Sequence, residues 1–485
     1  MAKLSRLPLD HHCQPACAGC RERDQRIAQL EKQLAQRDAR IAQLQARLRQ
    51  RGILPQCNAT NSSIPPSANP PNAPKPVVKK PTGRRPGGQP GHPGKARSRL
   101  PRERVQHVIP FLPLHCKHCE APLPEAAGPN DPEPTWLQYA ELPKMPAVVT
   151  EFQGHARTCP DCGTVTYAKI PDCLHGPCFG PRLSASLSYL SSSPHVTKRG
   201  VEEIVETLYD VPIALGTVSN LEQEMSAALT PAHGAAQQFV QQAAFKHVDE
   251  TGWKEAGRQR WLWAAATATV VCFVIHGKRS FKAFLTLLAG QLKGIFCSDR
   301  WKVYLRLPVR RRQLCWAHLK RDFQKLVDLG GAAKRFGKKG LDTERLLFRW
   351  WEAYRGGTIS RRQLQRHLKP VRHAMRAWLE EGTRCRVPKA AALCQSLLDL
   401  EPALWTFLRH EGVSPTNNLV ERLLRSPVIW RKIAFGCHSD KGCRFVERIL
   451  TVVETLRLQK RPVLAFLEET LRARRDGRAP PKLIK

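Results

Sequence analysis

Three groups of residues have the types and spacing to do chemistry: aspartates at the ends of apolar strands, paired cysteines, and runs of lysine and arginine. Asp249 ends one apolar run in His247-Val-Asp-Glu-Thr-Gly-Trp253, and Asp299 ends another in Ile295-Phe-Cys-Ser-Asp-Arg-Trp301. A carboxylate beside a core needs a cation or hydrogen bonds to stay ionised. Neighbouring strand ends would bring two such groups to one magnesium ion, with a third ligand supplied by another element. The best candidate is Glu421, in Thr416-Asn-Asn-Leu-Val-Glu-Arg-Leu-Leu-Arg425 near the start of a helix. Hard oxygen ligands suit magnesium or manganese. Two such ions about 4 Å apart activate an attacking oxygen and stabilise a leaving one in phosphoryl transfer. Glu250, Asp322 and Asp440 are the competing acids, and Asp440, in a polar turn, is expected to be exposed.

The cysteines point to a different metal. Cys116-x-x-Cys119 and Cys159-x-x-Cys162 are two knuckles of two thiolates each, enough to close a tetrahedral zinc site. Such a zinc would be structural, because four thiolates leave no position open to water. The long step between the knuckles accommodates strands, as in a zinc ribbon with an insertion. His115 and His118 flank the first knuckle as substitute ligands. A further run, Cys13-x-x-x-Cys17-x-x-Cys20, has the spacing of radical iron–sulfur enzymes but precedes a heptad helix, which argues against that cluster. A small metal knuckle with His11 or His12, or surface cysteines, remains open for it.

The charge balance names the partner class. Lys and Arg number 78 against 41 Asp and Glu, a formal charge of +37. Such an excess repels itself unless a polyanion is a regular partner, and nucleic acid fits because each neutralised phosphate releases counterions. The basic residues also cluster. Lys79, Lys80, Arg84 and Arg85 lie in a Gly/Pro-rich stretch, and Gly83-Arg84-Arg85-Pro86-Gly87 looks somewhat like a hook for an A·T-rich minor groove. Arg422 and Arg425, beside the candidate Glu421, are further DNA-binding candidates. No secretory signal is visible after Met1, and the most apolar run, Trp261–Ile275, is too short to span a bilayer as a helix. The expectation is a cytoplasmic, nucleoid-associated protein that does not engage membranes. Seventeen cysteines without an export signal argue against a disulfide scaffold.

The elements that must position these groups follow from periodicity. Residues 1–51 hold the Cys cluster and a helix with a heptad stripe, Ile27, Leu30, Leu34, Ile41, Leu44 and Leu48, broken by Arg37; the stripe reads as a coiled coil, and hence a homodimer or larger assembly. Residues 52–104 read as a Pro/Gly-rich basic linker, disordered in the free protein. Residues 105–178 form the zinc-binding region. Residues 179–240 read as helices, with a helix-turn-helix or an ordinary helical hairpin around Asp210–Leu215. From residue 241 to 460 the order is three strands, a helix, a fourth strand, then a helical block over 325–412. That α/β order is compatible with a ribonuclease-H-like fold. Residues 461–485 read as a basic C-terminal tail.

Taken together, the sequence resembles transposases of the insertion-sequence-66 family over nearly the whole chain. The most specific matches are His247-Val-Asp-Glu-Thr-Gly-Trp, Cys297-Ser-Asp, Cys315-Trp-Ala-His-Leu-Lys-Arg and Asn417-Asn-Leu-Val-Glu-Arg-Leu-Leu-Arg-Ser-Pro. Arg431-Lys432-Ile-Ala-Phe-Gly also fits. The resemblance implies an Asp-Asp-Glu triad at Asp249, Asp299 and Glu421. It also implies a ribonuclease-H-like catalytic domain, with a fifth strand and a helical insertion before the last carboxylate. Such enzymes act on the terminal inverted repeats of their own element and on target DNA, with accessory proteins of that element as partners. This chain has Thr416 where relatives often carry an acid. Two rival readings stand beside this one: an inactive zinc-containing DNA-binding protein, and a ribonuclease-H-like nuclease or resolvase. In Cys315-Trp-Ala-His318, His318 is open to contact with DNA or a metal, or to a packed strand-to-helix junction, the reading preferred here. Trp316 is read as core in preference to a base-stacking residue.

Overall fold

A computed structural model describes residues 18–50, 57–62, 99–126, 128–129, 131–142, 147–169 and 178–484. The chain forms two compact units. One comprises Met1–Ala73, Glu151–Ile204 and Pro212–Lys485, and the other Pro74–Thr150 with Val205–Val211.

In the larger unit, α1 (Ala18–Gln50) is built from Ala, Gln, Leu and Arg, all good helix formers. Its stripe residues Ile27, Leu30, Leu34, Ile41 and Leu44 are exposed. Part of the segment read as a disordered linker forms a turn at residues 57–62. There Asn58 and Asn61 are buried, and Asn61 Nδ2 donates to Asp328 Oδ2 at 2.7 Å. A short hairpin follows, β1 (Ala156–Thr158) with β2 (Val165–Tyr167). Next come α2 (Pro181–Ser192), α3 (Lys198–Tyr209), α4 (Leu215–Ala228) and α5 (Thr230–Gln242).

The sheet is mixed. Its strands are β3 (Phe245–Glu255), β4 (Arg258–Ala266), β5 (Val271–His276), β6 (Ile295–Ser298) and β7 (Arg312–Leu314), with α6 (Phe281–Leu287) before β6. In space the order is β5-β4-β3-β6-β7. The first three pair antiparallel, and β6 runs parallel to both β3 and β7. Side chains alternate between two cores, as the two-residue period of a strand requires. Trp263, Ala265, Cys272 and Val274 face one core with residues of α4, α5 and α6 and of the two C-terminal helices. Leu262, Ala264, Val271 and Phe273 face the other. Trp263 is fully buried, and a side chain of that kind contributes roughly 2–3 kcal/mol.

A helical block separates β7 from the return of the chain to the sheet. It comprises α7 (Trp316–Leu329), α8 (Gly331–Arg355), α9 (Arg361–Gly382), α10 (Pro388–Asp399), α11 (Glu401–Leu404) and α12 (Thr406–Arg409). It has its own core around Trp316, Phe323, Leu379 and Trp405. Gly340 of α8 lets the two long helices meet, since a Cβ there would lie 2.3 Å from the Phe323 ring. A capping box at Ser360 and Gln363 starts α9. The chain returns through α13 (Asn418–Leu423), α14 (Arg425–Ala434) and α15 (Asp440–Leu458). Val420, Leu423, Val446 and Leu450 cover the second face of the sheet.

One segment differs from its expected role. The C-terminal segment contains α16 (Val463–Arg475), whose Phe466, Leu467 and Leu471 join the first core. The apolar spacing on one face outweighs the basic composition that suggests a tail. In the helical region, the expected turn joins α3 to α4, and Lys198 Nζ at the start of α3 bonds Glu222 of α4 at 2.7 Å and Ser219 Oγ at 2.8 Å. The second half of α4 is buried, with Met225 and Ala228 in the first core, while Leu215 and Gly216 at its start stay exposed. No described helix is long and apolar enough to cross a membrane.

Candidate active site

Asp249 lies in the middle of β3, the central strand. It shares a strand face with Phe245, which packs on the helical block, and with Trp253, which packs in the second core. Asp249 therefore sits in the gap between those two cores. Asp299 is the first residue after β6, the parallel neighbour of β3. Glu421 comes from the first turns of α13. All three are partly buried. Burial first, then the charges of Glu250, Asp299 and Glu421, push the Asp249 carboxyl well above its ordinary range, against one hydrogen bond from Glu250 N at 2.9 Å. Three carboxylates close enough to repel one another make a hard-oxygen donor set. A divalent cation would turn that repulsion into attraction, so the residues present fit magnesium or manganese.

The competing acids are otherwise engaged. Glu250 accepts from Arg279 Nη2 at 2.6 Å and from the Tyr304 hydroxyl. The Arg279 guanidinium also lies 3.9 Å over the Trp301 ring. Glu250 thus ties β3 to the loop that follows Asp299. Within that loop Trp301 N donates to Asp299 Oδ1 at 2.9 Å. Arg312, fully buried on β7, donates from Nη2 to the Asp299 carbonyl at 3.2 Å. Asp322 pairs with Arg300 at 2.6 Å. Asp440 opens α15 and is exposed, as expected.

One buried amide joins the elements that carry the acids. Asn417, the N-cap of α13, is wholly buried. Its Nδ2 donates to the Val248 carbonyl at 2.9 Å, and its Oδ1 lies 3.2 Å from His247 Nδ1. Its backbone N–H donates to Cys315 Sγ at 3.1 Å. Burial pushes His247 down to about 4, so the ring is neutral and its Nδ1–H can donate to Asn417. Cys315 is the N-cap of α7, and its N–H donates to the Ser298 carbonyl beside Asp299. Its thiol points at Glu421 Oε1, 3.8 Å away. Trp316 is fully buried against Trp405, a core residue as read. His318 sits at the strand-to-helix junction, with Nδ1 3.4 Å from Glu421 Oε1. Sequence reasoning singled out the Asn417 motif but not this bridging role; an Asn at the boundary between loop and helix was its only signal.

Against known proteins, the sequence matches the family described as Transposase IS66 family across residues 176–444, more than half of the chain. The chain belongs to the IS66 transposase family. Residues 14–98 match a family of unknown function, DUF6444. A relative from Sinorhizobium fredii, the uncharacterized protein y4qI, is 26% identical over 234 residues, covering 44% of this chain and 43% of that protein. Of the DNA-binding candidates read from the sequence, Arg422 and Arg425 are exposed on either side of the α13–α14 junction. Lys79, Lys80, Arg84 and Arg85 lie outside the described residues, as do Cys13 and Cys17.

The two cysteine knuckles share one hydrogen-bond pattern. In the first, Cys116 N donates to Ala121 O at 2.9 Å and Glu120 N to Cys116 O at 2.9 Å. In the second, Cys159 N donates to Thr164 O at 2.9 Å and Gly163 N to Cys159 O at 3.0 Å. The residue after each second cysteine is left-handed, Glu120 at φ 59° and Gly163 at φ 70°. Hydrogen bonds lower the thiol of Cys116, chiefly from the Cys119 amide, and that of Cys162, chiefly from the Thr164 hydroxyl. Each knuckle is a turn that favours thiolate.

Proposed function

We propose that this transposase cuts and joins the ends of its own insertion sequence by two-metal phosphoryl transfer. The electrostatic influence of both Asp299 and Glu421 on the buried Asp249 carboxyl carries the reading. The strand order, three antiparallel strands followed by two parallel ones, supports a ribonuclease-H-like catalytic domain with residues 316–409 as its helical insertion. Asp249, Asp299 and Glu421 would hold the magnesium or manganese ions. When bound, these supply an activated oxygen nucleophile and charge stabilisation for the leaving oxygen. Glu250, Arg279 and Tyr304 hold the Asp299 loop against β3. Asn417 fixes the start of the Glu421 helix relative to Val248. Arg422 and Arg425 meet DNA phosphates.

The remaining parts serve the same task. Cys116 with Cys119, and Cys159 with Cys162, would serve as structural zinc ligands, a reading supported by the turn geometry of each knuckle. The exposed stripe of α1 would pair two copies, which suits an enzyme that must hold two element ends together. Lys79, Lys80, Arg84 and Arg85 would track the terminal inverted repeats or target DNA, with accessory proteins of the element assisting.

The test uses full-length protein and labelled DNA from the regions flanking its gene. Nicking and joining are followed with magnesium, with EDTA, and in Asp299→Asn. Magnesium-dependent joining that disappears in the variant is the expected result. Cutting without joining would indicate a resolvase-like nuclease. Binding without cleavage, even with accessory proteins added, would indicate a DNA-binding relic.

A further inference from the structure

A second metal chemistry is written into the rim of the carboxylate centre. Cys315 Sγ, His318 Nδ1 and a Glu421 oxygen all lie within 4.8 Å of one another. Two of the separations are 3.8 Å, sulfur to oxygen, and 3.4 Å, nitrogen to oxygen. A tetrahedral zinc ion, with bonds of about 2.0–2.3 Å, sets its ligand atoms roughly 3.3–3.6 Å apart. The three atoms therefore stand near ligand spacing without rearrangement. Mixed sulfur, nitrogen and oxygen donors select zinc-class ions over magnesium.

Two further observations point to a ligand there. His318 Nδ1 is buried and makes no hydrogen bond to any described residue. Cys315 Sγ accepts the Asn417 amide at 3.1 Å. Amide hydrogen bonds to sulfur stabilise thiolate, the form a metal binds.

We propose that Cys315, His318 and Glu421 form a binding site for one zinc-class divalent ion, separate from the cysteine knuckles. Binding releases the Cys315 thiol proton to solvent and leaves a fourth coordination position open. Occupancy engages Glu421 Oε1, so zinc competes with magnesium for this carboxylate. That consequence rests on the catalytic reading above; the binding does not.

Cobalt(II) is the probe, because thiolate-bound cobalt has near-ultraviolet charge-transfer and visible ligand-field bands. Full-length protein, Cys315→Ser and His318→Gln are titrated with cobalt, and Cys394→Ser serves as the control for loss of an unrelated buried thiol. The proposal expects one equivalent of cobalt to be lost in Cys315→Ser and in His318→Gln, with the knuckle signal intact and the control unchanged. Circular dichroism checks the fold; if Cys315→Ser unfolds, His318→Gln decides. Equal stoichiometry and spectra in native protein and His318→Gln would overturn the site. Zinc inhibition of joining is read separately. If cobalt binds but joining is absent in every condition, the site stands and the catalytic reading falls.

Discussion

The carboxylate centre and the cysteine knuckles would build a metal site in two different ways. The first would draw its ligands from a central strand, the end of its neighbour and a helix that returns after the helical block. Each is fixed by packing: Asp249 between two cores, Asp299 by a buried arginine and an amide, Glu421 by a helix anchored through Asn417. The second draws each cysteine pair from one tight turn with exposed neighbours. A centre made by packing can hold like charges together before any ion arrives. A knuckle has only its turn, so its order depends on the metal. The expected consequence is that metal removal costs the first site activity and the second site structure.

The largest effect that sharpens this contrast is on activity. Asp249→Asn and Glu421→Gln are expected to lower joining on the order of a thousandfold while circular dichroism stays native. Stability should move the other way for Asp249. Its carboxyl titrates above the ordinary range, so the folded state holds a proton that the unfolded chain has already released. The stability it contributes is complete below about pH 4 and is lost as pH rises through the raised value. In chelator at pH 7, Asp249→Asn should therefore melt above the native protein, and magnesium should narrow the gap. A lower melting temperature for the variant in chelator would break the argument.

Chelation of zinc is the next effect. A strong chelator should abolish amide protection at Glu120 and Gly163, measured by hydrogen exchange, and leave the main thermal transition unmoved. Loss of that transition would mean that the knuckles support the sheet. Asn417→Ala should destabilise by about 2–4 kcal/mol, because it leaves the buried Val248 carbonyl and His247 without partners; denaturant unfolding measures it. Replacing Arg422 and Arg425 together by Ala should lower the salt dependence of DNA binding by about two in the log–log slope. The smallest effect is Glu120→Gly. Relief of a left-handed non-glycine residue should tighten zinc binding by about 1 kcal/mol, several-fold in a competition titration.

Legibility in the sequence follows the same division. The knuckles were readable because a C-x-x-C turn is local. Asp299 does follow the end of a buried apolar strand, as read, but Asp249 does not end its strand: β3 runs on to Glu255 through the polar and glycine residues that looked like a strand end. Glu421 was singled out by its place near the start of a helix, and the resemblance implied the same residue; nothing local marks which acid a distant helix will return to the sheet. The short strand β7 was not readable from pattern. Its Arg312 and Gln313 are polar yet fully buried, and their partners come from the far end of the helical block, with Thr406 donating to the Arg312 carbonyl and Phe407 N to Gln313 Oε1. Pairing of Glu250 with Arg279 and Tyr304 was equally hidden, being a contact across the sheet edge. That pairing is why the adjacent acid serves the loop and not the metal.

The most direct test of the central claim is a metal-specificity switch at Asp299. In Asp299→Cys the hard oxygen ligand becomes a softer sulfur. If Asp299 holds the catalytic ion, nicking of element-end DNA should vanish with magnesium and return in part with manganese, while the native protein works with both. Undiminished nicking by Asp299→Cys in magnesium, or a loss that manganese does not relieve, would contradict metal ligation by this residue and with it the proposed centre.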